Sequence, residues 1–386
     1  MKRDILCINS GSSSLKFALY QLAEDEQLIA SGEVDRIGLP GGTFKMRDTA
    51  GSVVKDEPAK SDRREIIGAM FAALKELHRS RPDAVGHRIV HGGPDHAKPE
   101  RVTPKLIAEL RKIVPFAPLH LPSAIDAIEA VRKHFPDLSQ VVCFDTAFHR
   151  TMPEVASRFP LARDLWDAGV RRYGFHGLSY EYVVSALGDR ARGKVIIAHL
   201  GNGASLAAVR DGKSIDTTMG FTPTGGLMMG TRSGDLDHGV ILYLMNELHY
   251  DAHQIEEAVD HKAGLLGVSG ISSDMRMLAE SKDPHAALAR EMFCYYLRKQ
   301  IGAMAAALDG VDTLVFTGGI GEHDAEVRWL VCSKLEHLGV AIGRDRNQAG
   351  SDPISAPESR CEVRVIPTNE DLIIARQTRA IIDASV

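Results

Sequence analysis

A pattern of strand, short polar turn and strand occurs twice in this chain of 386 residues, and it constrains the fold more than any other feature. The first copy covers residues 4–20 with its turn at 9–14, and the second covers 194–209 with its turn at 201–205. Every second residue of 15–20 is a large apolar one, so a strand rather than a helix is predicted after the first turn. The recurrence predicts a duplicated domain in which each copy carries one such hairpin.

The polar turns are candidate phosphate-binding elements. Backbone N–H groups and hydroxyls of the first turn can bind phosphate oxygens, and Lys16 adds a positive charge. The spacing differs from that of a P-loop, which runs into a helix, and a plain surface hairpin is the alternative for this segment alone. A third glycine-rich turn, 316–322, joins a predicted strand to a helix, whose N-terminus favours an anion or a nucleotide. The three turns in this order predict a nucleotide site with the two hairpins facing each other across a cleft.

Composition narrows the class of protein. Apolar runs alternate with amphipathic helical patterns, which predicts an α/β architecture, with helices from Ser123, after Asp283, and from Asp324 to Gly339. The net charge of −5 argues against a general nucleic-acid or membrane-surface binder. Five cysteines lie in apolar segments without a C-x-x-C pair, and no apolar stretch approaches the ~20 residues that span a bilayer. We therefore expect reduced thiols and a cytoplasmic protein.

Two arginines are candidate ligands for an anionic substrate. If 85–93 is a strand, Arg88 and Val90 share a face, which suits a small ligand with an anionic head and a short apolar tail. The alternative is an edge-strand arginine in solvent. Arg232 lies in a glycine-rich loop before a helix, where arginine commonly binds phosphate or carboxylate bidentately, although many loop arginines bind nothing specific.

Acidic and imidazole groups provide further candidates. Asp145 directly follows an apolar run that is predicted to be a strand, and ligands bind at the carboxyl ends of strands in parallel sheets. The alternative is that Asp145 caps a helix or forms a turn. His120, His176 and His199 are candidates, although a single histidine is more often structural. Residues 368–371 form either a capping box or a carboxylate ligand for nucleotide-bound Mg²⁺, and the spacing does not decide between them.

Together these segments closely resemble the acetokinase family, within the actin-like, sugar-kinase-like phosphotransferases. The resemblance extends over nearly the whole chain, at 9–17, 86–93, 117–120, 144–149, 173–177, 199–203, 229–234, 318–322 and 367–370. It implies an α/β fold of two similar domains of the actin-like ATPase (ribonuclease H-like) type with a cleft between them. The N-terminal domain would comprise 1–147 plus 371–386, with the first phosphate hairpin. The C-terminal domain, 148–370, would carry the second hairpin, the adenosine turn and a dimer surface.

The family reaction that the resemblance implies is phosphoryl transfer to a carboxylate. ATP would donate its γ-phosphoryl group to acetate by direct in-line transfer, reversibly, with Mg²⁺ or alternatively Mn²⁺, giving acetyl phosphate and ADP. The resemblance also implies a homodimer, and neither nucleic acid nor membrane is an expected partner.

The resemblance assigns roles to individual residues. The catalytic set is Arg88, Asp145, His176 and Arg232, of which His176 and Arg232 stabilise the transition state. The substrate-binding set is Arg88, Val90, Leu119, His120, Phe175 and Pro223, in which Val90, Leu119, Phe175 and Pro223 form the pocket for the methyl group. The ATP-binding set is Ser12, Ser14, Lys16, His199, Gly201, Asn202, Gly203, Gly319 and Gly321. The metal-associated residues are Asn9 and Glu370.

Several positions depart from the family pattern, and two other functions are compatible with the motifs. Leu178 and Tyr180 replace a commoner Thr and His, His238 replaces a proline, and Asp371 replaces a second glutamate. These departures lie beside the matched positions and concern the dimer surface or loop motion rather than the catalytic residues. One rival is a kinase for propionate or butyrate, since a smaller residue than Val90 would admit a longer tail. The other is a nucleotide-dependent conformational module without a small acceptor.

Overall fold

The computed structural model describes residues 2–11, 13–78 and 81–384, and it is an α/β structure with two separate sheets. The chain forms two compact units. The first contains the residues up to Ala147 and the chain from Asn369 onward, and the second is Phe148–Thr368. The return to the first unit occurs at Asn369 rather than at the predicted residue 371. Asn369 is the N-cap of the last helix, where its Oδ1 accepts a hydrogen bond from the N–H of Leu372.

The sheet of the first unit has eight strands in the order β5-β4-β3-β2-β1-β6-β8-β7. Its strands are β1 Arg3–Ser10, β2 Leu15–Leu22, β3 Glu26–Asp35, β4 Thr43–Asp48, β5 Val53–Pro58, β6 Ala84–Ile89, β7 Glu100–Arg101 and β8 Ser139–Phe144. β1 and β2 are antiparallel with Asn9 opposite Lys16, which confirms the first predicted hairpin. β6 runs parallel to both β1 and β8, so the carboxyl ends of these strands lie at one edge of the sheet.

Helices cover this sheet with apolar faces. They are α1 Arg63–His78, α2 Pro104–Lys112 and α3 Leu121–His134. Buried side chains of α1 and α3 pack against β1, β2 and β6, and a second cluster joins α2 and α3 to β8. The predicted helix at Ser123 therefore begins slightly earlier, at Leu121.

The sheet of the second unit has five strands in the order β11-β10-β9-β12-β13. They are β9 Lys194–Leu200, β10 Ala204–Arg210, β11 Lys213–Thr217, β12 Thr313–Thr317 and β13 Glu362–Val365. β9 and β10 form the second predicted hairpin, with His199 opposite Ser205, and β12 runs parallel to β9. In both units the first strand of an antiparallel hairpin thus also pairs with a parallel strand from later in the chain.

Helices complete the second unit and close the chain. They are α4 Glu154–Ser157, α5 Arg163–Asp167, α6 Gly177–Leu187, α7 His238–Asn246, α8 Ala252–Glu256, α9 Gly264–Ser269, α10 Met275–Glu280, α11 Pro284–Leu308, α12 Gly318–His323, α13 Ala325–Cys332, α14 Arg344–Gln348 and, in the first unit, α15 Glu370–Asp383. Short 3₁₀ turns lie at Val114–Phe116, Ala147–Thr151, Gly188–Arg192 and Glu336–Leu338, and a π-helical turn lies at Glu257–His261. None of the helices among the described residues is long and apolar enough to cross a bilayer.

The helix predictions are confirmed with one correction. α11 begins after Asp283, whose Oδ1 accepts a hydrogen bond from the N–H of His285. The helix predicted from Asp324 to Gly339 is wrong in its length, since α13 ends at Cys332 and a separate 3₁₀ turn precedes Gly339. Leu335 remains buried across the break, so the apolar spacing alone does not reveal it. The strand-to-helix turn at 316–322 is present as β12 followed by α12.

Candidate active site

An arginine held by a buried carboxylate forms the centre of the cluster in the first unit. Arg88 lies near the end of β6 and Asp145 directly follows β8, and the N–H of Asp145 donates to the carbonyl of Ile89 at 2.9 Å. Arg88 Nε donates to both carboxylate oxygens of Asp145 at 3.1 Å, and Nη2 donates to Oδ2 at 2.6 Å. Parallel pairing of β6 and β8 brings these side chains to one edge, so Asp145 holds the guanidinium in a fixed orientation.

Two more oxygen ligands surround the same guanidinium. Arg88 Nη1 donates to Oδ1 of Asn9 at 3.3 Å, and its Nε lies 3.8 Å from Oε2 of Glu370. Burial opposes the charge of Arg88, but Asp145 and Glu370 outweigh it and raise the pKa of the guanidinium further above its usual range. Burial, together with the charge of Glu370, raises the pKa of Asp371 to about 6.

The first polar turn is fastened by residues that the sequence analysis did not select. Arg63 in α1 donates to Ser10 Oγ and, at 3.0 Å, to the carbonyl of Gly11. Ser10 Oγ also donates to the carbonyl of Ser123 at 3.1 Å. Lys16 is exposed and Ser14 is half-buried beside this turn, whereas the predicted ligand Ser12 lies outside the described residues.

The predicted substrate-binding residues of the first unit lie at the ends of elements. Val90 is half-buried one residue beyond β6, so the predicted strand does not extend to it. His120 is the N-cap of α3 and makes no side-chain capping bond. Leu119, directly before it, is 44% exposed.

In the second unit, His176 is positioned by a chain of hydrogen bonds. It adopts a left-handed backbone conformation (φ 57°) at the N-cap of α6, which turns its side chain toward β10. Its Nδ1 lies 2.8 Å from Ser205 Oγ, and that oxygen lies 2.5 Å from the hydroxyl of Tyr180. Ser205 and Tyr180 are completely buried, and burial raises the pKa of Tyr180, so the phenol keeps its proton.

This chain of groups determines which nitrogen of His176 carries the proton. If Tyr180 donates to Ser205 and Ser205 donates to Nδ1, both hydroxyl protons have an acceptor. In any other arrangement of these contacts one buried hydroxyl proton lacks a partner within the triad, at a cost of about 1–3 kcal/mol. The neutral imidazole of His176 therefore carries its hydrogen on Nε2, as a donor directed away from the triad.

His199 is held by a parallel arrangement. Its Nδ1 lies 2.8 Å from Ser179 Oγ, which in turn accepts a hydrogen bond from Thr368 Oγ1 at 2.8 Å. The rings of His176 and His199 stack with centroids 4.2 Å apart. Serines on α6 and β10 thus fix two imidazoles side by side next to the second polar turn.

Arg232 lies on a tight turn that is attached to the same hairpin. The N–H of Met229 donates to the carbonyl of Arg232 at 3.0 Å, and the N–H of Gly230 donates to the carbonyl of Asn202 at 3.0 Å. Among the described residues the Arg232 guanidinium donates only to the carbonyl of Pro223, at 3.4 Å, and has no ion pair. Burial lowers its pKa, partly offset by Asp260. A half-buried cation without a carboxylate partner among the described residues is suited to an anionic ligand.

The donors of Arg232 and His176 converge beside Gly203. A methyl group built on Gly203 would lie 3.4 Å from Arg232 Nη1 and 3.4 Å from His176 Nε2. The absence of a side chain therefore leaves a position that two donors can reach. Such convergence of a guanidinium and an imidazole is what a transferring phosphoryl group requires.

The third glycine turn has the open geometry expected of a nucleotide contact. A methyl group built on Gly319 would meet no atom within 4 Å, and one on Gly321 would make only ordinary contacts. Glu322 closes this turn, because its Oε1 accepts from the N–H of Gly318 at 2.9 Å and from that of Thr368 at 3.1 Å.

The remaining predicted residues of the second unit have mixed exposure. Gly201 belongs to the β9–β10 turn with Asn202 and Gly203, and Pro223 is half-buried. Phe175 is only 1% exposed, and its carbonyl oxygen lies 3.0 Å from Nε2 of the buried His149. Burial lowers the pKa of His149 to about 4, so the imidazole is neutral.

The structure thus groups nine of the predicted residues into two clusters, one in each unit: Asn9, Arg88, Asp145 and Glu370 in the first, and His176, His199, Asn202, Gly203 and Arg232 in the second. Sequence reasoning missed Ser205, Ser179 and Thr368, which position the two imidazoles. It also missed Arg63 and Glu322, which hold the first polar turn and the glycine turn. Ser205 lies opposite His199 in the predicted hairpin, and this pairing was the one signal that could have identified it.

The fold and these clusters define the class of protein: a phosphotransferase of the actin-like type, with α/β units that each carry a polar-turn hairpin. Comparison with known proteins gives the family. A model of the acetokinase family matches residues 4–376, and the chain belongs to this family. It is 47% identical over 392 residues to an acetate kinase of Rhodopseudomonas palustris, covering 98% of each chain.

Solved structures agree with this placement. The chain superposes on a crystal structure of Porphyromonas gingivalis acetate kinase with a TM-score of 0.90 at 40% identity, covering 98% of this chain and 100% of that one. It also superposes on a propionate kinase from Francisella tularensis with a TM-score of 0.93 at 35% identity, covering 98% and 99%. The predicted family and fold class are confirmed.

Proposed function

We propose that this chain transfers the γ-phosphoryl group of ATP to acetate, reversibly, giving acetyl phosphate and ADP. The observation that carries the proposal is the convergence of Arg232 Nη1 and His176 Nε2 on the open position beside Gly203. In a member of the acetokinase family, these two donors are suited to bind the equatorial oxygens of the phosphoryl group as it is transferred.

The chemistry explains why arginines matter more than a base. A carboxylate with a solution pKa of about 4–5 is already ionised at neutral pH, so no proton must be removed from the nucleophile. The barrier comes from repulsion between an anionic acceptor and a polyanionic donor, which positioned cations reduce. Asp145 is bound to Arg88 through both oxygens, so we assign it the orientation of that guanidinium rather than base catalysis.

Roles follow for the catalytic side chains. Arg88 and Arg232 would orient the acceptor carboxylate and neutralise charge, and His176 would donate its Nε2 hydrogen to the transferring group. The side chains proposed for the methyl pocket are Val90, Leu119, Phe175 and Pro223, with His120 beside the carboxylate.

The nucleotide would be held by the polar turns of both hairpins and by the glycine turn at α12. The residues proposed to contact it are Ser12, Ser14, Lys16, His199, Gly201, Asn202, Gly203, Gly319 and Gly321. Exposed Lys16 and the open space around Gly319 support this assignment.

The metal proposal rests on the oxygen ligands around Arg88. Asn9 Oδ1 and the Glu370 carboxylate are hard donors of the kind that Mg²⁺ or Mn²⁺ prefers. In the part of the chain that the structure describes, no group of three or more His, Cys, Asp or Glu residues could hold a metal ion by itself. The donor set therefore fits an ion shared with nucleotide phosphates and water. When bound, such an ion neutralises phosphate charge.

The acyl phosphate itself provides the decisive test. With ATP, Mg²⁺ and acetate, trapping by hydroxylamine should yield acetohydroxamate in proportion to ADP formed. Arg232→Ala should reduce turnover by orders of magnitude while the unfolding temperature changes little. ATP hydrolysis that is independent of acetate, without a trapped product, would instead support a conformational ATPase and reject the proposal.

Propionate is the second candidate acceptor, because the propionate kinase is structurally as similar to this chain as the acetate kinase is. One methylene is worth only about 1–3 kcal/mol in an apolar pocket, so we expect propionate to be used less well than acetate. Steady-state kcat/KM values for acetate, propionate and butyrate check this order. A preference for butyrate over acetate would contradict the assigned pocket.

We further propose a homodimer formed through α7. None of the residues of this helix is buried, although Val240, Leu242, Tyr243 and Met245 are large and apolar. Exposed large apolar side chains in one short helix are typical of an interface. Leu242→Glu should give a monomer by light scattering, whereas Val155→Glu, at an isolated position that is 88% exposed, should not. A dimer that survives Leu242→Glu would argue against this face.

A cytoplasmic location is the last part of the proposal. Cys7, Cys143, Cys294, Cys332 and Cys361 are all free and buried, which suits a reducing compartment.

A further inference from the structure

A basic cavity lies in the second unit, and the proposed reaction does not use it. Its volume is about 220 Å³, and its walls come from residues 149–157, from Trp166 of α5 and from residues 171–173. This volume is below the range of about 300–1,000 Å³ that is usual for drug-sized ligands, so the cavity suits a small ion or a short phosphorylated compound.

Positive charge dominates the walls of this cavity. Arg150, Arg171 and Arg172 contribute to the lining, and Glu154 is the one acid among the lining residues. Glu154 already accepts a hydrogen bond from Arg158 at 2.8 Å. The cavity therefore has an excess of positive charge, which favours an anion.

Arg171 is the lining residue that lacks a protein acceptor. Its guanidinium carbon lies 4.9 Å from the ring centroid of Trp166 and 5.7 Å from that of Tyr173. Its side chain makes no hydrogen bond or ion pair with any described residue, and the buried Nε has no partner among them. Ring contacts hold the side chain by cation–π attraction but satisfy none of its donors.

The guanidinium of Arg172, by contrast, donates hydrogen bonds to backbone carbonyls of the same unit. Its Nη1 donates to the carbonyls of Thr217 and Thr218 at 3.0 Å, and its Nε donates to that of Ala156 at 3.3 Å. Arg172 therefore supplies charge and a rigid wall, whereas Arg171 supplies the free donors.

We propose that this cavity binds a small phosphate-type oxyanion, with Arg171 as the principal ligand and Trp166 as the wall behind it. A planar guanidinium donates two parallel hydrogen bonds to such an anion. The site is separate from the His176 and Arg232 cluster but connected to it through the chain, because Tyr173 lines the cavity three residues before His176. His149, another lining residue, contacts the carbonyl of Phe175 at 3.0 Å.

Tryptophan fluorescence tests the proposal on the full chain. The chain has two tryptophans, so a Trp329→Phe background leaves Trp166 as the only reporter. Titration with inorganic phosphate, at an ionic strength held constant with KCl, should give a saturable change. Arg171→Gln should weaken binding by about tenfold or more, since a charge-assisted bidentate contact is lost. Arg163→Gln, an exposed position on the same helix as Trp166, is the matched control and should leave binding unchanged.

Phosphate can also bind at the proposed catalytic cluster, so Arg232→Ala is titrated in parallel. The Trp166 response should persist in Arg232→Ala. A response abolished by Arg232→Ala but unaffected by Arg171→Gln, or the lack of any saturable response, would overturn the proposal. If Trp329→Phe does not fold, calorimetric titration of the Arg171→Gln and Arg163→Gln chains with phosphate gives the same comparison. Acetate-dependent turnover is measured separately, so failure of this site leaves the proposed function intact.

Discussion

Replacing Gly203 by alanine places a single methyl group where two donors converge. The new carbon would lie 3.4 Å from both Arg232 Nη1 and His176 Nε2, and no described atom outside Gly203 and its two chain neighbours is closer. A phosphoryl oxygen accepting from both donors needs distances of about 2.7–3.0 Å, and it cannot share that space with a methyl group. A hydrogen bond to a charged group contributes about 1.5–3 kcal/mol, so losing one of the two predicts a fall of about 10- to 100-fold in kcat/KM.

Stability separates this effect from misfolding. The backbone φ of Gly203 is not in the left-handed region, so alanine is allowed there, and we expect an unchanged free energy of unfolding in urea. Gly302→Ala is the matched control, because a methyl group on this glycine of α11 meets no atom within 4 Å. It should stabilise the fold by about 0.5–1 kcal/mol and leave turnover unchanged. Near-normal kcat and KM in Gly203→Ala would refute the idea that the open position receives a phosphoryl oxygen.

Three further predictions use other parts of the structure. Ser205→Ala should lower kcat by about tenfold and destabilise the fold by about 1–3 kcal/mol, because the Tyr180 hydroxyl loses its partner. Adding Tyr180→Phe should restore the free energy of unfolding in urea but not kcat. Recovery of both would show that Ser205 has only a structural role. Burial lowers the pKa of His87 to about 4, from about 6.5 in the unfolded chain. The contribution of neutral His87 to the free energy of unfolding is therefore fully present above pH 6.5 and is lost as the pH falls toward 4. Unfolding at pH 5 and pH 7 should reveal a loss of about 2 kcal/mol from this residue, and an equal loss in His87→Gln would contradict it. Gly319→Ala should raise the KM for ATP without lowering the unfolding temperature, because its methyl group would meet no protein atom; an unchanged KM would remove this turn from the nucleotide site.

Much of the fold was predictable because its signals are local. Period-two alternation after a small polar turn predicted the β1–β2 hairpin, and a small polar turn between two apolar runs predicted the β9–β10 hairpin. Asp283 followed by proline located the start of α11 to the residue. The end of α13 was not predictable, because a 3₁₀ turn preserves the burial of Leu335 and leaves the apolar spacing unchanged.

The candidate site was predictable in its residue types but not in its contacts. Arg88 and Asp145 were separate hypotheses until the parallel pairing of β6 and β8 joined them in one ion pair. The role of Ser205 emerges only from the antiparallel register, which places it between His176 and Tyr180.

By itself, the sequence determined the α/β class, the two polar-turn hairpins and the family, because these depend on periodicity and on motifs contiguous along the chain. The tertiary structure alone decided which hydrogen His176 presents. It also decided that, within the described part of the chain, Arg232 lacks a carboxylate partner and the Arg171 side chain contacts aromatic rings without an acceptor. The physical reason is that protonation and charge pairing depend on distances of a few ångströms between residues far apart in the chain. Strand pairing and burial set those distances, and local spacing does not encode them.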